Sequence, residues 1–375
     1  MRVLYFSWSY TPHDHRFLTS MSASGLDVFF LQLSQNTKKL ESRPLPDRVS
    51  EVFWPPALIP HTNFENPQIL RYYAEPLKTI ISQISPDIVH AGPVPTCGYV
   101  AALAETRNLL IMSWGSDVLV DAEKSPEWRE ATQYAIAHSS VLQCDCSAVR
   151  WKVQELCPFP DDWIVQFPWG IDVSLFSMEG PASGLRQKLG WTDKSIILCN
   201  RAWEPLYGIE TVLRSFELLM GTKPEARLLL VGDGSYSDWV RRFIETNDMR
   251  DKVHCPGRIP YLDLPAVLRE SDVYLSCSRS DGSSISLLEA LSVGLPVVVS
   301  DIQGNREWVT SHCGSWLATP DHAEEFASGL VEAVDLNPVR RLEVARLHRQ
   351  IALERADWEA NFKTLLAMYG RLQLK

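Results

Sequence analysis

Residues 273–309, VYLSCSRSDGSSISLLEALSVGLPVVVSDIQGNREWV, leave this chain few ways to fold. An apolar run over 273–277 ends in a polar loop at 278–284. Nine residues without Pro or Gly follow before Gly294, and a second apolar run fills 296–300. The pattern predicts strand, loop, helix, strand, the repeating unit of a parallel sheet. In such a sheet the loop leaving the carboxyl end of a strand is where ligands sit. The next helix turns free backbone N–H groups and the positive end of its dipole towards that place. Gly282 keeps the loop thin, and Ser283 or Ser284 is placed to cap the helix. An anion such as a diphosphate would be held there without a basic side chain.

Glu289 stands out within the helix. Its neighbours Ile285, Leu287, Leu288, Ala290, Leu291 and Val293 are apolar on nearly every side, so the helix is expected to be buried and the carboxylate to need polar partners. Ribose hydroxyls would serve, as would backbone amides. Asp281 lies eight positions earlier, in the loop. At ~1.5 Å of rise per residue the two acids stand roughly 10 Å apart, about the reach of a nucleoside diphosphate with its sugar. Either acid alone reads as a satisfied core group or a helix cap; the two with this loop between them read as a ligand site.

The stretch resembles the signature of the retaining GT-B glycosyltransferases of family 4, in which two glutamates flank seven residues ahead of a Gly-Leu-Pro-Val-Val turn. Here Asp281 takes the place of the first glutamate and Glu289 is the second. The resemblance implies an α/β chain of two Rossmann-like parallel-sheet domains facing a central cleft, with a C-terminal helix crossing back to the N-terminal domain. It gives Asp281, Gly282, Ser283 and Ser284 to the donor sugar and phosphate, and Glu289 to the ribose. The implied domains are 1–175 on the acceptor side, 176–355 for the nucleotide sugar, and a returning helix over 356–375.

In the amino-terminal half, strand-like runs at 3–6, 28–33, 87–90, 109–113 and 141–143 alternate with helical spacing, which also predicts a parallel sheet covered on both faces. The first run opens into a loop carrying His13, Asp14, His15 and Arg16. His13, His15 and Arg16 are candidates for the acceptor side; a solvated turn with Asp14 capping a helix is the plainer alternative. Trp114 stands where many family members carry a histidine beside the reacting sugar, so it is a candidate wall of the acceptor pocket. Asp117 either takes over part of that histidine's role or caps the next helix. The segment 161–176 resembles the family's bridge between domains.

In the carboxy-terminal half, Arg201 ends a strand-like run at 196–199 and matches a family arginine that binds the donor diphosphate; an ion pair with Glu204 or Glu210 is the alternative. The lysine that usually follows is Tyr207 here, and Arg279 is the candidate replacement. Arg258 and Ile259 are candidate contacts to the base. Residues 301–307 resemble the loop closing the donor pocket, with Arg306 and Glu307 holding it. Trp358, Phe362, Leu365, Leu366 and Tyr369 form a helical apolar stripe.

With 375 residues, 45% hydrophobic and 22% charged, the chain is of ordinary globular composition. Its net charge of -10 argues against nucleic acid as a partner. No apolar run reaches the ~20 residues of a membrane span, so a cytoplasmic protein is expected, with peripheral membrane contact still open. Eight cysteines, Cys313 among them, include no pair with two residues between its members, and no two aspartates have a single residue between them. Neither a zinc site nor a metal-diphosphate motif is expected, and no cofactor. The expected activity is retaining transfer of a sugar from a nucleotide sugar, UDP-linked by analogy, to a hydroxyl of a glycan, lipid-linked or protein acceptor. Asp281, Arg201 and Asp117 are its candidate catalytic residues. A nucleotide-sugar 2-epimerase and a non-catalytic nucleotide-sugar-binding scaffold are the alternatives.

Overall fold

The computed structural model describes residues 1–34, 41–56, 58, 64–311 and 314–374. It forms two compact units, one of Met1–Pro168 with Glu359–Lys375 and one of Trp169–Trp358. The expected boundary at 175 thus falls at 168, within the segment read as a bridge.

The first unit holds β1 (Arg2–Ser7), β2 (Asp27–Gln32), β3 (Val49–Val52), β4 (Ile88–Gly92), β5 (Leu109–Met112), β6 (Val141–Cys144) and β7 (Ile164–Gln166). They form one sheet in the order β3-β2-β1-β4-β5-β6-β7, every neighbouring pair parallel. β1 pairs in register with both flanking strands, Val3 lying opposite Val28 and Ile88. Because side chains alternate, Leu4, Phe6, Leu31, Val89, Ala91, Leu109, Ile111 and Leu142 join the main core on one face. On the other, Tyr5 and His90 meet Phe17 of the helix Pro12–Ala23.

The returning helix spans Trp358–Gln373, and from Glu359 onward it belongs to the first unit. Its apolar stripe is buried as the spacing predicts, with Phe362 at 5% exposure and Leu365 and Tyr369 at 0%. The Tyr369 hydroxyl sits 2.5 Å from His90 Nδ1, Asn361 donates to the Pro168 carbonyl, and Arg371 lies over the Trp163 ring.

The second unit holds β8 (Ser195–Cys199), β9 (Ala226–Val231), β10 (Val253–Gly257), β11 (Val273–Ser276), β12 (Val297–Ser300) and β13 (Ser315–Ala318), ordered β10-β9-β8-β11-β12-β13 and again parallel throughout. β8 and β11 are neighbours, with β9 and β10 on one side and β12 and β13 on the other. The chain therefore reverses its direction of progress between β8 and β11, the place where open parallel sheets form ligand crevices.

Strands β3, β7 and β13 escape the sequence reading. Each has three or four residues and lies at a sheet edge, where one flank needs no apolar cover; β3 reads Val-Ser-Glu-Val with both middle residues exposed. Among the described residues no helix is long and apolar enough to cross a membrane. Cys97, Cys144, Cys146, Cys199 and Cys277 are buried, whereas Cys255 is exposed; Cys313 lies outside the described residues.

Candidate functional site

The site is built where β8 and β11 end side by side. After β11 the loop passes through Asp281–Ser284 into the helix Ile285–Ser292, whose seven residues from Ser286 to Ser292 are all buried. Two glycines allow the loop to pack so closely. Gly208 takes φ 62°, and a Cβ there would lie 2.0 Å from the Cys277 carbonyl oxygen. A Cβ on Gly304 would stand 2.3 Å from the carbonyl oxygen of Gly282, so the short helix Gln303–Arg306 presses directly on the loop. Arg306 fixes that short helix by a two-point ion pair with Asp301, at 2.5 and 2.7 Å.

Arg201 enters this loop from the end of β8. Its Nη2 donates to Asp281 Oδ2 at 2.7 Å, and its Nη1 donates to the hydroxyls of Ser284 and Ser286 at 3.1 and 3.0 Å. The guanidinium lies 4.1 Å over the Tyr207 ring, while its Nε is buried without a hydrogen-bond partner. The alternative pairing with Glu204 or Glu210 does not form. Glu204 receives Ser235, and Glu210 approaches Arg279 at 3.9 Å. Burial is the largest single influence and works against the charge of Arg201, but Asp281 together with Tyr207, Tyr274 and Cys199 leaves the arginine above its ordinary value. For Asp281 burial dominates and raises its pKa, against the lowering effects of Arg201, Ser284 and the Gly282 N–H.

The expected cap of the helix is a correction. Ser284 occupies the N-cap position, yet its side chain makes no capping hydrogen bond because its hydroxyl is turned to Arg201. The N–H groups of the first turn therefore have no side-chain cap, and intrahelical bonding cannot satisfy them. Ser283 is buried in the same loop.

Glu289 is 4% exposed, and Asn200 Nδ2 approaches its Oε2 at 3.4 Å. The Oδ1 of Asn200 is buried without a hydrogen-bond partner. Two residues of this site escaped the sequence reading, Asn200 and Ser286. Asn200 immediately precedes Arg201 at a strand end, a usable signal. Ser286 resembled an ordinary helix residue, although it accepts from Arg201 and also from the Tyr274 hydroxyl at 2.8 Å.

Other candidates are placed differently. Arg279 is not available as the missing lysine, because Nε bonds both oxygens of Asp321 at 2.9 and 3.0 Å and Nη1 donates to the Pro205 carbonyl. Arg258 is exposed after β10, and Ile259 is half-buried against the core of the second unit.

In the first unit, His13, His15 and Arg16 stand not in a loop but in the helix Pro12–Ala23, which begins earlier than the loop reading allowed because Thr11 and Asp14 form a capping box. All three are half-buried. Arg16 Nη2 lies 3.4 Å from His13 Nδ1, and the Tyr10 hydroxyl, which donates to the Pro44 carbonyl, lies 2.6 Å from His15 Nδ1. Asp14 is fully buried and raised to about 6 by that burial, despite bonds from Thr11 and Tyr5.

Asp117 has a dense set of partners. Oδ1 accepts from the Ser113 hydroxyl and from the N–H groups of Trp114 and Val118, and Oδ2 accepts from the Val94 N–H. It joins the loops that leave β4 and β5, and burial raises it to about 6. Trp114 is half-buried beside it.

Known proteins resemble this chain in sequence and in fold. A mannosyltransferase of Corynebacterium glutamicum, named as GDP-mannose-dependent and acting on monoacylated phosphatidylinositol monomannoside, is 29% identical over 202 residues, 51% of this chain and 52% of that protein. The chain thus spans about half the length of that relative, and 54% of a phosphatidyl-myo-inositol mannosyltransferase of Mycolicibacterium smegmatis. A glycogen synthase of Mycobacterium tuberculosis aligns over 96% of this chain and 92% of its own length, at 23% identity. In fold, the chain is similar to HepE of Anabaena, solved in complex with UDP, with a TM-score of 0.79 at 18% identity and coverage of 99% and 100%. Residues 183–345 match the family described as glycosyl transferases group 1, and residues 2–145 match the family described as glycosyl transferase 4-like. Between them the two matches take in every strand except β7 and every residue of the Arg201 site, and the chain belongs to the group 1 glycosyltransferases.

Proposed function

We propose that the chain transfers a hexosyl group from a nucleoside-diphosphate sugar to a hydroxyl acceptor, with retention at the anomeric carbon. The observation that carries this reading is the Arg201 cluster. A buried guanidinium with an unsatisfied Nε stands beside an uncapped helix start, at the point where the second sheet reverses. A diphosphate supplies what both lack, acceptor oxygens and negative charge. One turn along the helix from Ser286, Glu289 and the unpartnered Oδ1 of Asn200 suit the two hydroxyls of a ribose.

In this reading Arg201 and the amides at Ser283 and Ser284 stabilise the leaving diphosphate as charge develops on it. The leaving phosphate takes the acceptor's proton, so no separate general base is required, and the cation at Arg201 serves in place of a metal. Asp281 lies beside the place of the donor sugar. UDP and GDP donors are both consistent with the relatives, one of which is named for GDP-mannose while HepE has been solved with UDP and with UDP-glucose. The acceptor is a glycan, a lipid-linked glycan or a protein.

The test is a panel of UDP-, GDP- and ADP-sugars, with and without EDTA and with and without simple glycoside acceptors, read by nucleotide release and by NMR of the anomeric proton. Retaining transfer gives an α-linked product from an α-linked donor at a rate EDTA leaves unchanged. An inverted product, or activity abolished by EDTA, contradicts the reading. Conversion of the donor to its 2-epimer without any acceptor would favour the isomerase, and tight binding with no turnover on any acceptor would favour the scaffold.

A further inference from the structure

The donors of Arg201 are unevenly used. A guanidinium offers five N–H groups, and carboxylates or phosphates take them best in parallel pairs along one edge. The edge formed by Nε and Nη2 carries a single carboxylate oxygen, Asp281 Oδ2, on Nη2, while Nε has no partner. The outer edge is partly taken through Nη1 by Ser284 and Ser286. Asp281 thus occupies half of the edge that a phosphate would fill completely. The pair is only slightly exposed, 12% for Arg201 and 18% for Asp281, so its attraction is weakly screened. Arg279, the other guanidinium of this loop, is engaged with Asp321 and does not relieve the competition.

We infer that Asp281 is an internal anion: it holds the diphosphate place of Arg201 when the site is empty and is exchanged for the diphosphate when the donor binds. This rests on the donor-site reading and deepens it. A donor that displaces the carboxylate brings sugar hydroxyls with it, and those hydroxyls donate to the displaced Asp281. A nucleoside diphosphate, the product, displaces the same carboxylate but brings no hydroxyls for it, leaving a carboxylate beside a phosphate in a poorly solvated loop. Asp281 therefore discriminates between donor and product and favours product release.

The experiment titrates UDP, GDP and ADP, and their glucose or mannose conjugates, into the wild type, Asp281→Asn and Asp281→Ser, with melting curves of each protein alone. Expected is nucleoside diphosphate binding about tenfold tighter in both variants, as for a coupling of ordinary size. Nucleotide-sugar binding should be unchanged or weaker, and turnover lower. If one variant fails to fold, the other carries the comparison. Nucleoside diphosphate bound by the wild type as tightly as by the variants, or more tightly, overturns the inference and leaves the donor site standing. A wild type that binds none of these ligands overturns the donor site and the inference together.

Discussion

Tyr207 lies flat beneath Arg201, its ring centroid 4.1 Å from the guanidinium carbon, in the position where the family resemblance leads one to expect a lysine. In the proposed donor site, an aromatic platform beneath one cation stands where a second point charge on the diphosphate is expected. Removing the ring with Tyr207→Ala frees the guanidinium and should weaken binding of the donor by about 1 kcal/mol, some fivefold, while Tyr207→Phe keeps the platform and should change little. Calorimetric titration separates the two; equal losses in both would assign the effect to the hydroxyl.

Glu289 is expected to read the ribose. Glu289→Gln keeps its volume within the buried helix but removes the charge, and should weaken donor binding by about 2 kcal/mol. A donor built on 2′-deoxyribose should lose a similar amount on the wild type and almost nothing further on the variant. Additive losses would mean that the carboxylate and the hydroxyl do not meet.

Asp117 accepts from Ser113, Trp114, Val118 and Val94, so its removal leaves the backbone N–H groups of Val94 and Trp114 without an acceptor, while that of Val118 keeps the Gly115 carbonyl. Asp117→Ala should cost about 3 kcal/mol of stability in urea unfolding. Unchanged stability with lost turnover would instead restore the catalytic role that its position after β5 first suggested.

Two buried groups on the same face of the first sheet, both beside Tyr5, should give opposite pH dependences. Burial lowers His90 to about 3, so the folded protein keeps it neutral while the unfolded chain takes up a proton below the ordinary value of 6.5. Its contribution is complete above that value and is lost as pH falls, by about 2 kcal/mol between pH 7 and 5. Asp14 is raised from 3.8 to about 6, so the folded form takes up its proton first and gains stability over the same descent, by about 1 kcal/mol. The stability deficit of His90→Gln should therefore shrink from pH 7 to 5, and that of Asp14→Asn should grow. Denaturation at the two pH values checks both, and parallel trends would contradict the assignment.

The fold was legible wherever a segment was buried on both faces. The continuous apolar runs of β1, β8 and β11 announce a parallel sheet by themselves, and the stripe ending at Tyr369 announces a helix with one buried side. Short edge strands such as β3 carry no such signal. In the site, Arg201 and Glu289 were legible because charge at a strand end and charge on an apolar helix both conflict with their surroundings. The Arg201–Asp281 pair was not, because the two residues lie 80 positions apart and only the pairing of β8 with β11 brings them together. The turn of Ser284 away from its cap is likewise set by a neighbour from a distant strand. His13, His15 and Arg16 read as loop residues because the capping box of Thr11 and Asp14 lies inside the same polar run.

The central claim, that the second unit holds a nucleoside-diphosphate sugar on Arg201 and Glu289, is tested most directly by titrating UDP-, GDP- and ADP-sugars into the wild type, Arg201→Ala and Glu289→Ala. One donor is expected to bind the wild type and to lose at least about tenfold in affinity on each variant, a loss of about 1.4 kcal/mol or more, with both variants still folded. Binding that both substitutions leave unchanged would contradict the account.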